Sequence, residues 1–309
     1  MPPVVSDDCL SHLKQQESES IHILREVVAE FANPVVLYSV GKDSSVLVRL
    51  AQKAFYPGVL PFPLLHVDTG YKFPEMYAFR DRFCAEIGAR LIVERDDASI
   101  ADGCHPLREG VDACCGRLKT GALLAALGKH GFDAAIGGAR REEEKSRAKE
   151  RIFSVRDGHG QWNPKRQRPE LWDLYNAQLG EGETMRVFPL SNWTELDIWQ
   201  YIAVERIPIV PLYFATSRQV VRRGGALIPH DPTTGRAPVM AEGEHLETCL
   251  CRFRSLGCMP CTGAVESGAT TLDQIIAEVG AARTSERENR LIDRTNDASM
   301  ERKKREGYF

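Results

Sequence analysis

Val35-Val36-Leu37-Tyr38-Ser39-Val40-Gly41-Lys42-Asp43-Ser44-Ser45 is the stretch on which the reading of this chain turns. Its first half is apolar and β-branched, the composition of a short buried strand. Gly41 interrupts it, and Val46, Leu47 and Leu50 follow at helical spacing. A strand feeding a glycine turn that opens a helix aims free backbone N–H groups and the positive end of the helix dipole at one spot, which binds phosphate. In this reading Gly41 permits the tight backbone and Lys42 adds a mobile cation. Ser39, Ser44 and Ser45 supply hydroxyl donors, and Asp43 is suited to hold Mg²⁺ or a proton donor. The spacing is not G-x-x-x-x-G-K-[ST], which excludes the usual P-loop. A glycine turn in any strand–turn–helix unit would look similar in isolation, so the flanking sequence has to decide.

Outward from this stretch, strand and helix patterns alternate. Residues 11–31 carry Leu13, Ile21, Ile23, Leu24, Val27 and Val28 as the apolar side of an amphipathic helix. A second strand, residues 64–68, ends in Asp68-Thr69-Gly70; a helix is expected over 73–87 and a third strand over 90–93. Another helix over 121–129 leads to a fourth strand, Ala134-Ala135-Ile136, running into Gly137-Gly138-Ala139-Arg140-Arg141. Alternation of this kind specifies an α/β fold, a parallel twisted sheet with helices on both faces. Ligands on such sheets sit beyond the carboxyl ends of the strands, where the Ser39, Asp68 and Gly137–Arg141 turns fall. From residue 142 to 182 the chain is charged and then polar, an excursion expected to order around a substrate or partner. Thr194, with Asp197 three residues on, marks a helix start. Residues 222–244 read as a loop or hairpin insertion and 283–309 as a charged tail.

With 309 residues and a net charge of −3, the chain is long enough for a full core and carries no global basic field for nucleic acid or membrane. No apolar run approaches a membrane span, and residues 1–10 lack a signal pattern, so the cytoplasm is the expected compartment and no membrane partner is expected. Nine cysteines in that compartment point to core residues, metal ligands or redox groups rather than disulfides.

The Ser39-x-Gly41-Lys42-Asp43-Ser44 loop resembles the pyrophosphate-loop (PP-loop) signature, whose enzymes cleave ATP between the α- and β-phosphates. Further motifs narrow the resemblance: His66-Val67-Asp68-Thr69-Gly70, Gly137-Gly138-Ala139-Arg140-Arg141, Glu143-Glu144-Lys145-Ser146-Arg147, Arg168-Pro169-Glu170-Leu171-Trp172 and Phe188-Pro189-Leu190-Ser191-Asn192-Trp193. With Thr262-Gly263-Ala264-Val265-Glu266-Ser267 and the closing Arg305-Glu306-Gly307-Tyr308-Phe309, nearly the whole chain resembles the catalytic small subunits of bacterial sulfate adenylyltransferases. The resemblance implies the adenine nucleotide α-hydrolase-like fold, with residues 1–215 as the ATP-binding α/β domain and 216–309 as a C-terminal extension. It also implies an adenylyl transfer in sulfur metabolism, from ATP and sulfate to adenosine 5′-phosphosulfate and pyrophosphate, beside a GTPase large subunit.

The residues suit that chemistry on their own terms. Adenylyl transfer needs the pyrophosphate gripped as it leaves and charge neutralised at the α-phosphate. Ser39, Gly41, Lys42, Ser44 and Ser45 are candidates for the grip, with Asp43 for Mg²⁺; Asp68 is suited to ribose, adenine or Mg²⁺, or is a simple turn residue. Arg140, Arg141, Lys145 and Arg147 are candidates to meet an oxyanion, since guanidinium groups match its geometry, and Gly138 to admit the nucleotide closely. A solvated helix face with pairs such as Glu143–Arg147 is the alternative for the basic cluster.

One feature departs from the family pattern. Cys114-Cys115 is followed far downstream by Cys258-Met259-Pro260-Cys261-Thr262, which resembles the [4Fe-4S] sites of adenylylsulfate reductases. A Cys₄ zinc site or small buried hydrophobes are the other readings. Cys249 and Cys251 are expected to be alternative ligands or spare thiols, Cys104 a further spare, and Cys9 and Cys84 structural. The cysteines open a second function: an iron–sulfur ATP pyrophosphatase subunit of a DNA phosphorothioation or other nucleic-acid sulfur-modification system, partnered by a cysteine desulfurase and modification subunits. A third reading is a nucleotide-binding scaffold without turnover.

Overall fold

A computed structural model describes residues 7–144, 147–223, 225–230, 240, 243–282, 286 and 307. Lys145 and most of the expected charged tail lie outside the described residues.

The chain opens with α1 (Asp7–Glu30), followed by β1 (Pro34–Leu37) and α2 (Lys42–Phe55), then β2 (Leu64–Val67), α3 (Pro74–Glu86) and β3 (Leu91–Glu94). Three short helices, α4 (Asp97–Ala101), α5 (Pro106–Glu109) and α6 (Val111–Cys115), lead through a π-helical turn at Gly116–Gly121 into α7 (Ala122–His130) and β4 (Ala134–Ile136). Next come β5 (Phe153–Arg156), β6 (Thr184–Val187) and α8 (Glu195–Glu205). The described elements end with β7 (Thr216–Arg223), β8 (Ala226–Pro229), β9 (Leu246–Arg252), β10 (Val265–Glu266) and α9 (Leu272–Ala281).

The main sheet has six strands in the order β3-β2-β1-β4-β6-β5. All of its pairings are parallel except β5 with β6, so the sheet is mixed at one edge rather than wholly parallel. The antiparallel edge arises inside the 142–182 excursion, which the sequence pattern left without a strand. Alternation along each strand sorts side chains to two faces. Val36, Leu64, Ala134 and Ile136 join the larger core with residues of α1, α2, α3 and α8, while Val35, Leu65 and Ala135 meet Leu123, Ala126 and Leu127 of α7. Register between β1 and β4 is pinned at the entrance by Asp133, whose carboxylate accepts from the backbone N–H groups of Ala32 (2.7 Å) and Asn33 (3.0 Å).

From β1 the chain moves outward to β2 and β3 and then returns to β4 on the other side of β1. The split between β1 and β4 is therefore the topological switch point, where the two following loops diverge and leave a crevice. A second sheet, antiparallel in the order β10-β9-β7-β8, lies within residues 216–266 and contributes Val220, Leu227 and Cys251 to the larger core. The expected insertion at 222–244 begins as the β7–β8 hairpin; residues 231–239 lie outside the described residues.

Helix α8 starts where the sequence signal put it. Thr194 accepts from the Asp197 N–H (3.1 Å), and Asp197 accepts from the Thr194 N–H (2.8 Å), a complete capping box. The Glu195 N–H at the same helix end donates to the Glu142 carboxylate at 2.6 Å. Thr194→Ala is expected to lower stability by about 1 kcal/mol, read as a lower urea midpoint with an unchanged slope.

Candidate active site

The loops after β1 and β4 enclose a cavity of about 240 Å³ with two kinds of wall. Leu37, Leu65, Val67 and Leu123 form an apolar side, and Ser39, Gly41, Lys42, Asp43, Ser44, Gly138 and Arg147 contribute the polar one. Such a mixture, apolar surface with a few convergent polar groups, characterises a small-ligand site.

The turn into α2 differs from the sequence expectation in where its strain sits. Val40, a β-branched residue, takes the left-handed conformation (φ 65°), while Gly41 has an ordinary φ of −85° at the helix N-cap. The space at 41 is tight rather than closed: a Cβ there would stand 3.3 Å from Ser39 Oγ and 3.5 Å from Tyr213 Oη. Tyr213 accepts from the Lys42 N–H at 2.8 Å, Ser44 Oγ donates to the Gly41 carbonyl at 3.0 Å, and Ser39 Oγ donates to Ser44 Oγ at 3.2 Å. Ser45 is buried beside Tyr38 and does not line the cavity.

Lys42 is not the mobile cation expected. It is 1% exposed, its Nζ donates to Asp43 Oδ2 at 3.0 Å, and it also donates to the Glu286 carboxylate. Arg140, equally buried, donates from Nε to Asp43 Oδ1 (2.7 Å), from Nη2 to Glu286 Oε1 (2.6 Å) and from Nη1 to Glu142 Oε2 (3.2 Å). Burial works against charge on Lys42, but Asp43 and Glu286 overcome it and raise its pKa; burial is likewise outweighed at Arg140 by Glu286 and Asp43. At Asp43 burial pushes the carboxyl up, yet Lys42 and Arg140 bring it below the usual range. Glu286 responds oppositely, burial dominating to raise it.

The other candidates divide. Gly138 lines the cavity, where a Cβ would approach Asp43 C and Cβ to 3.1 Å. Arg147 lines it too, paired to Glu150 (3.5 Å) and Glu144 (3.7 Å). Arg141 turns away and donates to Asn192 at the approach to α8. The Asp68 carboxylate accepts from Tyr77 Oη (2.7 Å) and the Gly70 N–H (2.8 Å), a turn role; against the effect of burial these bonds lower its pKa. Lys72, Lys119, Thr120, Tyr213, Ser255, Gly257 and Glu286 also line the cavity and were not singled out in the sequence. Lys72 follows the Asp68-Thr69-Gly70 turn and Lys119 the cysteine pair, so position beside a singled-out motif was their only sequence signal; Glu286, in the tail, had none.

The cysteines gather on the Lys72–Lys119 side. Cys114, Cys115, Cys258 and Cys261 are all buried, and Cys258 Sγ meets Thr69 Oγ1 at 3.2 Å. Burial raises the Cys258 thiol, but Lys119, Lys72 and Thr69 bring it below its ordinary value. Cys261 is pushed up to about 12 by burial and then by Cys258, and Cys114 rises through burial and its neighbours Cys104 and Cys115. Among the described residues, no three His, Cys, Asp or Glu side chains form a group that could hold a metal ion, so the expected ligand set does not close. Cys9 donates to Gln200 (3.1 Å), Cys84 lies in the larger core, and Cys249 and Cys251 are near neighbours on β9.

A crevice at the switch point, beside a glycine turn that opens a helix, is the arrangement of a nucleotide-binding α/β protein of the PP-loop class. The family model of the phosphoadenosine phosphosulfate reductase domain matches residues 33–264, and the chain belongs to that family. More narrowly, it belongs with the proteins named sulfate adenylyltransferase subunit 2: that of Myxococcus xanthus is 61% identical over 97% of both chains. The Erwinia tasmaniensis protein of the same name is 60% identical over 97% of this chain and 98% of its own. Among solved structures, FMN adenylyltransferase of Candida glabrata, in complex with FMN and the ATP analogue AMPCPP, shares the fold with a TM-score of 0.51. That match has 13% identity and covers 90% of this chain and 92% of that one.

Gly138→Ala is expected to leave the fold intact and weaken adenine nucleotide binding about tenfold, since 1–3 kcal/mol of overpacking falls on the Asp43 backbone. Titration calorimetry with circular dichroism checks both halves.

Proposed function

We propose that the protein is the adenylyltransferase subunit of a sulfate-activating enzyme: it cleaves ATP between the α- and β-phosphates and transfers AMP to sulfate, yielding adenosine 5′-phosphosulfate and pyrophosphate. The observation that carries this reading is the near-full-length identity of about 60% to proteins named for that activity. The cavity supports it in chemical terms. The apolar side, Leu37, Leu65, Val67 and Leu123, suits the adenine ring, and the polar side, with the start of α2, suits the phosphates.

A sulfate oxygen attacks the α-phosphorus, forming one P–O bond while the bond to the β-phosphate oxygen breaks. The protein's work is then to orient the two ends in line and neutralise the departing pyrophosphate. Lys42 and Arg140 are assigned to the pyrophosphate, with Ser39, Ser44 and the N–H groups of the glycine loop beside them. Gly138 admits the nucleotide, and Arg147, Lys72 and Lys119 are the cations on the remaining walls. Lys145, Arg141, Ser45 and Asp68 stay secondary candidates. Asp43, a carboxylate lining the cavity, would hold Mg²⁺, which would supply charge neutralisation there. Residues 216–309 act as an extension that completes the cavity through Ser255 and Gly257. The name subunit 2 of the relatives points to a partner subunit, for which we propose a GTPase, and the cytoplasm is the proposed compartment. No helix among the described residues is long and apolar enough to cross a membrane.

Cys114, Cys115, Cys258 and Cys261 act on one another electrostatically, and the proposed reaction has no step for a [4Fe-4S] cluster. The identity to proteins named for sulfate adenylyl transfer favours sulfate over a nucleic-acid acceptor and a cysteine desulfurase partner. With the partner subunit present, pyrophosphate release is expected to depend on sulfate and to fall at least about 100-fold in Asp43→Ala or Arg140→Ala, the loss typical of removing one electrostatic contact to developing charge. Release of pyrophosphate at the same rate without sulfate would refute the acceptor.

A further inference from the structure

Glu286 is the least expected residue in the site. It comes from the far end of the chain, 146 positions beyond Arg140, yet it is 5% exposed and lines the nucleotide cavity. Its two carboxylate oxygens are divided between two buried cations, Oε2 on Lys42 Nζ and Oε1 on Arg140 Nη2 at 2.6 Å. Its carbonyl accepts from Ser255 Oγ at 3.4 Å, beside the stretch 255–257 that lines the same cavity.

A carboxylate with one oxygen on an ammonium and the other on a guanidinium reproduces what two phosphate oxygens would do there. Lys42 and Arg140 face Asp43, Glu142 and Glu286, leaving no net positive charge at the grip. Asp43 is part of the α2 turn and touches both cations from the strand side, and Glu142 holds Arg140 from a third direction. Glu286 is the carboxylate bridging Lys42 and Arg140 from outside the loops after β1 and β4. A polyphosphate brought onto Lys42 Nζ and Arg140 Nη2 meets Glu286 in its place and competes with it for those N–H groups.

We propose that the Glu286 carboxylate is an internal occupant of the phosphate grip, holding Lys42 and Arg140 in position until the β- and γ-phosphates of the nucleotide displace it. This rests on the ATP-site reading and adds a specificity device to it. A weak single anion, such as the acceptor sulfate, gains too little to expel the carboxylate, whereas a chelating polyphosphate engages both cations at once. The apparent affinity for polyphosphate is then reduced by the fraction of protein in which Glu286 occupies the grip.

The test is titration calorimetry of the full chain with inorganic pyrophosphate, for the wild type and Glu286→Gln. If the carboxylate holds the grip about nine-tenths of the time, the variant binds pyrophosphate about tenfold more tightly. Equal or weaker binding by a folded variant overturns the inference while leaving the ATP site standing. Failure of both proteins to bind pyrophosphate removes the ATP-site reading and the inference with it. Should the variant not fold, amide exchange on the wild type decides: saturating pyrophosphate is expected to accelerate exchange in the peptide containing residue 286, and unchanged or slower exchange contradicts displacement.

Discussion

Lys42 and Arg140 are buried together, and that is tolerable only because two carboxylates stand between them. An ammonium and a guanidinium withdrawn from water each carry a desolvation cost of several kcal/mol. Losing one partner of such a network costs about 3–5 kcal/mol, so the four groups Lys42, Asp43, Arg140 and Glu286 require one another. Each arrives from a different consequence of the fold. Lys42 and Asp43 open α2 directly after β1, Arg140 leaves the end of β4 on the neighbouring side of the switch point, and Glu286 lies beyond α9. The Glu142 carboxylate couples the network to the start of α8, where the Thr194 capping box fixes the helix end.

Much of the scaffold was legible in the sequence because it follows from local rules. The apolar run 35–37 and the alternation of strands and helices specify the sheet, and Thr194 with Asp197 specifies the helix start. β5 was hidden because an edge strand within a polar excursion has no continuous apolar run; only its pairing with β6 makes Phe153–Arg156 a strand. The site was half legible. Gly41, Lys42, Asp43, Ser44 and Gly138 share a wall, as spacing implied, and Arg140 stands behind it. What spacing could not convey was side-chain direction. Arg141 is adjacent to Arg140 and points to Asn192 instead, and Asp68 takes both of its hydrogen bonds, from Gly70 and Tyr77, on Oδ1. Glu286 belongs to no local pattern, and its place is a tertiary fact.

The cysteines show how a motif and its geometry can part. Spacing alone groups Cys114, Cys115, Cys258 and Cys261, and the fold does bring them to the side of the cavity where Lys72 and Lys119 lie. Yet burial raises Cys114 and Cys261 while Lys119 and Lys72 lower Cys258. Cys258 is thus tied electrostatically to the cavity wall through Lys119 and Lys72.

The central claim is that Lys42 and Arg140 grip the leaving pyrophosphate. It is tested most directly by a crystal structure of the protein with the non-cleavable α,β-methylene analogue of ATP. The account requires the β- and γ-phosphates within hydrogen-bonding distance of Lys42 Nζ and the Arg140 guanidinium, with adenine against Leu65, Val67 and Leu123. Phosphates bound away from both cations, or an adenine on the polar wall, would contradict it.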